Sequence, residues 1–304
     1  MPTTFPRCVI TPLPDDQVSF TVDGVERLRW HAGLNATRPF FYPLIGPSGL
    51  PLTRIGHPGA PDHDHHRSIW FAHNKVLGIN FWADTSPARI RQLQWLAYHD
   101  GDDEAVMGVK LGWFDGHDPK PLMTQDVVAA VRPGDDNETL FEIHTTLTPT
   151  ADMLELQKTN FGLLAVRVAK SLSAHFGGGQ LSDSEGRVGE PAIFGNRAAW
   201  MDYSGPILPD VTEGITFFDH PGNPDHPTHW HVREDGWMGA SLCFADARII
   251  TKAASLTLRY LLHAHRGGVD AARSTRVLSD FAARPAFTIA KAKVKHEMWT
   301  IARS

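Results

Sequence analysis

Between Gly56 and His73 the chain reads Gly-His-Pro-Gly-Ala-Pro-Asp-His-Asp-His-His-Arg-Ser-Ile-Trp-Phe-Ala-His, and five of its 17 histidines fall there. His63, His65 and His66 crowd together with Asp62, Asp64 and Arg67. Imidazole moves protons near neutral pH, and with carboxylate it is a common ligand of divalent metals. Three readings stay open. In one, His63, His65 and His66 hold a divalent metal ion. In another, a metal-free site uses His65 and His66 for proton transfer, with Arg67 beside them. In the third, the stretch is a solvated turn whose histidines cap backbone groups or stack on aromatic rings. The spacing is not that of a zinc finger or of His-Glu-x-x-His, so no metal motif favours the first.

Local conformation decides how many imidazoles meet. On an extended chain His63 and His65 point one way while Asp64 and His66 point the other. On a loop, which His-Pro-Gly-Ala-Pro favours, all three converge. Ser68 to Ala72 then reads as a buried strand anchoring the cluster.

Other residues with chemistry lie farther along. Asp219 to His231 is a second histidine- and proline-rich loop carrying His220, His226, His229, Trp230 and His231, with Arg233 just beyond; two such loops in one β domain are expected to meet at one mouth. Glu185, between Ser184 and Gly186, is a candidate general acid or base. Asp202 beside Trp200 and Tyr203 suits a sugar, whose ring stacks on an indole and whose hydroxyls donate to a carboxylate. The chain has nine Trp against four Tyr, and Trp82, Trp200 and Trp230 are the candidate platform. His263 and His265 either line the mouth or fill a polar sheet face, and alternation favours the sheet face.

These residues need a scaffold. Val18, Phe20 and Val22, the turn Asp23-Gly24, and Val25 to Trp30 read as a hairpin. Strands are expected at Val76 to Trp82, Ala105 to Phe114, Asp126 to Val131, Gly162 to Val168, a pair within Ala192 to Ser204, Ser255 to His265 and, last, Phe287 to Val294. Arg89 to Tyr98 is a strand or a short helix. The clearest alternation sets Phe141, Ile143, Thr145 and Leu147 against Glu142, His144, Thr146 and Thr148. With almost no helical periodicity and no linker or repeat, residues 1–304 are expected to form one all-β domain, a large antiparallel β-sandwich.

A formal charge of −5 and the lack of basic runs argue against nucleic acid. No 18 apolar residues run together, which excludes a spanning helix, and the N-terminus lacks a secretory signal. Cys8 and Cys243 form no disulfide framework, so a reducing cytoplasm is the expected compartment. No Gly-x-Ser-x-Gly elbow or glycine-rich phosphate loop is present, which disfavours serine catalysis and a nucleotide cofactor. The oligomeric state, a homo-oligomer included, is left open.

Several motifs together resemble the bacterial family often labelled PmoA-like, or methane oxygenase. They are Arg38-Pro-Phe with Tyr42-Pro43, His57-Pro-Gly with Asp62 to Arg67, Gly78 to Trp82, Ser184-Glu-Gly, Ala199 to Gly205, Asp219 to Asn223 with Trp230 and Arg233, and Leu258-Arg-Tyr260 ahead of His263. Asp64 and Ser68 depart from that family's usual Asp-His-Pro-His-His-Arg-Gly. A membrane subunit needs spanning helices, so the oxygenase label does not carry over. The resemblance implies a galactose-mutarotase-like supersandwich associated with sugar catabolism, and it adds Asn223 to the candidate sugar-binding residues. The expectation is a carbohydrate lyase or hydrolase, metal-assisted or not, with an epimerase or mutarotase and a sugar-binding module as alternatives. In it His65 and His66 move a proton, Arg67 or the metal stabilises an oxyanion, Glu185 protonates the leaving oxygen, and Trp82, Trp200, Asp202, Asn223, His229, Trp230, Arg233 and His263 bind the sugar.

Overall fold

The structure, a computed structural model, describes residues 5–57, 59–60 and 63–304. In chain order the strands are β1 (Cys8–Leu13), β2 (Gln17–Val22), β3 (Val25–His31), β4 (Phe40–Leu44), β5 (Ile69–His73), β6 (Arg89–His99) and β7 (Ala105–Phe114). Then come β8 (Met123–Pro133), β9 (Thr139–Pro149), β10 (Met153–Leu156), β11 (Gly162–Arg167), β12 (Gln180–Asp183), β13 (Trp200–Leu208) and β14 (Val211–Asp219). The last are β15 (Trp230–Arg233), β16 (Trp237–Ala240), β17 (Arg248–Thr251), β18 (Leu256–Arg266), β19 (Phe287–Lys291) and β20 (Trp299–Arg303).

Sixteen of them make two antiparallel eight-stranded sheets, in the orders β1-β2-β3-β4-β5-β11-β16-β15 and β12-β13-β14-β18-β9-β8-β7-β6. The fold is all-β. The sheets pack face to face because each strand turns alternate apolar residues inward: Leu28, Trp30, Phe41, Phe71 and Val166 of the first sheet share one buried cluster with Val109, Val127, Phe141, Phe217 and Leu262 of the second. Phe41 and Phe141 meet across the interface with ring centres 4.7 Å apart. Inside the core Trp113 Nε1 donates to Gln125 Oε1 at 2.8 Å. Among the described residues no helix is long and apolar enough to cross a membrane.

Four local expectations change. Val76 to Trp82 is not a strand but a turn closed by a Val76–Ile79 bridge. Its alternation is local: outside the turn it meets β10 only through an isolated Val76–Leu156 bridge and the Leu77 amide, which donates to the Glu155 carbonyl at 3.1 Å. The segment Ala192 to Ser204 holds one strand, β13, preceded by a four-residue helix, α1 (Glu190–Ile193). A helix that alternation did not reveal, α2 (Ala271–Ala283), is capped by Asp270, whose carboxylate accepts from the Arg273 amide at 2.9 Å. It covers the outer face of the second sheet, where Phe281, Val277 and Leu278 pack on Leu140, Trp200, Phe218 and Leu261. The chain closes with β20, which pairs with β19.

Candidate functional site

Four neighbouring strands of the first sheet turn unusual residues away from the sandwich core. Where β5 sends Ile69 and Phe71 inward it sends Trp70 and Ala72 out; β11 sends out Ala165 and Arg167, β16 Trp237 and Gly239, and β15 His231 and Arg233. Register brings them side by side: Ala165 lies between Trp70 and Gly239, and Trp237 between Arg167 and Arg233. The small residues make room for indoles. A Cβ at Gly239 would fall 2.9 Å from the Trp237 ring, so glycine lets that indole lie down on the sheet. Trp82 comes from the loop after β5 and completes the group, with ring centres 5.5 Å from Trp70 and 5.6 Å from Trp237. Its place is set by Asn80, whose side-chain oxygen accepts from the amides of Trp82 and Ala83 at 2.8 and 3.0 Å.

The histidine loop folds over this floor. Arg38, buried just before β4, ties it down: its guanidinium donates to the His65 carbonyl at 3.1 Å, to the Trp82 carbonyl at 2.6 Å and to Asp84 at 3.1 Å. Burial pulls its pKa down to about 10 while Asp84 pushes it up, so it stays charged at neutral pH. The result is convergence. Ring centres of His65 and His66 are 4.2 Å apart, those of His63 and His66 5.4 Å, and those of His63 and His65 5.9 Å. All three imidazoles line a cavity of about 310 Å³ whose walls are Trp82, Trp237 and Phe161, with Asn74, Arg233 and Asp235 at its polar edge. His66 is the deepest, 2% exposed and stacked on Trp70 at 5.3 Å.

Behind the cavity runs a chain of charge and hydrogen bonds. Arg167, whose side chain is fully buried, pairs with Asp235 at 2.9 Å and donates to His66 Nδ1 at 2.9 Å. Asp235 also meets His57 Nε2 at 2.9 Å. Burial alone would raise the Asp235 pKa, but the Arg167 charge and the hydrogen bonds from Arg167 and His57 together hold it below the usual range. His66 is driven far below its ordinary value, first by burial and then by the Arg167 charge with His65 and His63 nearby. It is neutral at physiological pH.

The expected residues divide. His63, His65, His66, Trp82 and Arg233 share the cavity. Arg67 does not: it pairs with Asp84 at 3.0 Å, lies over Phe40, and lines a separate, more open cleft of about 750 Å³. Glu185 is exposed on its loop, accepting from Ser184. Trp200 is buried under α2, and Trp230 is in the core, its indole donating to the Ala198 carbonyl at 2.8 Å. Asp202 is buried on the other sheet, held by Ser204, Thr216 and His265. Asn223 ties its own loop to Asp219 and to the Arg259 backbone, His229 stacks on Phe244, and His263 is bound to Glu138 at 2.7 Å. Among the described residues the two histidine loops therefore come together at one point. Only His231, at the end of the second, reaches the site, its ring centre 4.2 Å from that of Trp237. Asp62 lies outside the described residues.

Sequence reasoning missed Arg167, Asp235, Trp237 and Phe161. The outward slots of β11 and β16 were the available signal, since Arg167 ends an otherwise apolar strand and Trp237 starts one.

The donor set tests the metal reading. Nδ1 of His66 accepts from a guanidinium, which is always a donor, and a fixed positive charge beside it opposes a cation. His66 therefore does not fit as the third ligand.

A model of a family of unknown function (DUF6807) matches residues 17–279. A search of curated proteins finds no match. Two of the solved structures that align with this chain are as follows. One is a candidate mutarotase from Salmonella typhimurium, 12% identical with a TM-score of 0.34 over 84% of this chain and 93% of its own. The other is a candidate kojibiose phosphorylase from the human microbiome, 8% identical with a TM-score of 0.33 over 92% of this chain; the chain spans only 37% of that protein.

Proposed function

The chain belongs to that family of unknown function, and from its cavity we propose a carbohydrate-active enzyme that moves a proton on a sugar or keto-sugar. One observation carries the reading: three imidazoles converge on an indole-walled cavity of about 310 Å³, at the small end of ligand pockets and suited to one or two sugar rings. Indole faces stack on the C–H faces of a sugar, while Arg233 and Asn74 reach its oxygens.

On a keto-sugar, the proton on the carbon beside the carbonyl is acidic. His65 takes that proton, the C–H electron pair moves into the carbonyl, and the oxygen that gains the negative charge is stabilised by N–H donors. If the next carbon carries a glycosidic oxygen, that C–O bond breaks as the enolate collapses, and the departing oxygen takes the proton back from the imidazolium. The outcome is elimination. Asp235 is held ionised by Arg167 and His57, so it serves as a fixed charge and not as a general acid. The same imidazoles acting on a sugar with no leaving group on the next carbon give the second reading, epimerisation or mutarotation. No step runs through a metal.

Incubation of the protein with a panel of keto-sugars, keto-glycosides and their parent sugars, followed by NMR for chemical change, tests this. We expect conversion of at least one, and its loss by a factor of about 10² or more in His65→Ala at a stability cost of about 1 kcal/mol or less. Undiminished conversion in His65→Ala would overturn the catalytic assignment. Binding without conversion in the parent protein, with no metal found by elemental analysis of untagged material, would replace the enzyme by a sugar-binding module.

A further inference from the structure

We infer that His66 is a fixed hydrogen-bond donor, its proton locked on Nε2 by a relay of His57, Asp235 and Arg167, so that Arg167 and Asp235 are positioning residues of the site. The inference deepens the reading above by dividing labour among the imidazoles, and it rests on that reading only for the ligand.

The direction of each hydrogen bond can be worked out from one end. The Gly59 amide donates to His57 Nδ1 at 3.0 Å. An amide N–H cannot accept, so the neutral His57 ring carries its proton on Nε2, which donates to Asp235 Oδ2 at 2.9 Å. The other carboxylate oxygen accepts from Arg167 Nη1 at 2.9 Å. Arg167 has donors only, and its Nη2 gives one to His66 Nδ1 at 2.9 Å. His66 Nδ1 is therefore the bare nitrogen, and the ring proton sits on Nε2, across the ring from Arg167. The rest of the ring is boxed in by Trp70, Trp82 and Trp237 at 5.3 to 5.9 Å.

Arg167 can hold this position because its charge is matched. Its side chain is fully buried, and a buried guanidinium without a carboxylate is strongly disfavoured. Asp235 supplies the match, and the Asp235 carbonyl accepts from both Arg54 at 3.0 Å and Arg167 at 3.1 Å. A tautomer fixed in this way cannot act as a base at Nε2. It places an N–H where charge develops on a ligand oxygen, at no cost of reorganisation, and leaves proton abstraction to His65 or His63.

Nitrogen-15 NMR of the full-length protein labelled at histidine reads this without any ligand. Long-range proton–nitrogen correlations separate the two tautomers, and a His66→Gln variant identifies the His66 signals by their loss. We expect the parent protein to show a neutral His66 with hydrogen on Nε2, Arg167→Lys to keep that pattern, and Arg167→Met to lose it to an averaged or inverted one. A parent His66 protonated on Nδ1, or doubly protonated at neutral pH, overturns the relay even if Arg167→Met fails to fold. A normal pattern in a folded Arg167→Met protein overturns it too. Failure of every sugar to bind would remove the proposed function and leave this assignment standing, so the two can fail separately.

Discussion

Each sheet of the sandwich turns a cluster of histidines away from the core, and the two clusters are finished in opposite ways. On the second sheet His144, Arg259, His263 and His265 are roofed by α2 and the β19–β20 hairpin. There His265 donates to Asp202 at 2.8 Å, His263 meets Glu138 at 2.7 Å, and Glu142 gathers Arg259 and Arg303 at 3.0 and 2.8 Å. On the first sheet the cover is loop, and beneath it His63, His65 and His66 face a cavity. The lesson concerns residue types. Histidine, arginine and carboxylate occur in both places, but on the roofed face His263, His265 and Arg259 are each held by a carboxylate of the protein and serve as cement, although His263 and Glu138 also edge a cleft of about 600 Å³ beside α2. Where a loop roofs it, three imidazoles converge on one cavity walled by indoles.

The sharpest way to break this comparison is to remove one partner from the cemented side. Glu142 is 2% exposed and receives both Arg259 and Arg303. Glu142→Gln leaves buried guanidinium charge unmatched, and we expect a loss of about 3–5 kcal/mol of folding stability, measured by urea denaturation. Ligand affinity at the other sheet should not move. A Glu142→Gln protein of parental stability, or one with altered sugar binding, would dissolve the division between the two faces.

Acid acts on the same side more gently. Burial, and then the charge of Arg259, lower His144 and His220 to about 4. Both are neutral in the folded protein down to that range, whereas in the unfolded chain each takes up a proton near its ordinary value of about 6.5. Between those limits the unfolded state binds more protons, so stability rises with pH and is lost as pH falls. Each histidine contributes on the order of 1 kcal/mol per pH unit in that window. His73 and His231, lowered by burial to about 4 and about 3 on the first sheet, add to the same slope. Urea midpoints taken from about pH 7 to about pH 5 measure it, and a flat profile would show that these imidazoles are not buried neutral.

Much of the scaffold is legible in the chain because alternation is a local signal. Phe141, Ile143 and Leu147 do line the core, and the Asp23-Gly24 hairpin joins β2 to β3. The helix α2 was not legible by alternation, since its inner face is only Ser274 and Phe281 with the half-buried Val277 and Leu278, packed against a sheet far back in the chain. The site divides the same way. His63, His65 and His66 are neighbours in sequence and announce themselves. Their supports do not, because Arg167 lies 101 residues from His66 and Asp235 lies 178 from His57, and nothing in a single sequence marks such pairs. Trp230 and Asp202 have the right chemistry for a sugar but point into the core and into the cemented face; strand direction decided that, not residue type.

Glu185 supplies the smallest and most discriminating expectation. In sequence it is an attractive acid, a carboxylate beside glycine on a polar loop. In the structure it is exposed, its amide donates to Asp183 at 3.0 Å, and its carboxylate accepts from Ser184 at 3.0 Å. It does not line the cavity that holds the imidazoles. Exposed groups of this kind contribute little to stability, so Glu185→Gln should change it by no more than about 0.5 kcal/mol, and conversion of any keto-sugar turned over by the parent should stay within about twofold, where removal of a true general acid costs about 10²-fold or more. Side-by-side turnover and urea curves for the parent and Glu185→Gln decide it. A large fall in conversion at unchanged stability would bring this loop into the active centre and move the acid of the reaction from imidazole to carboxyl.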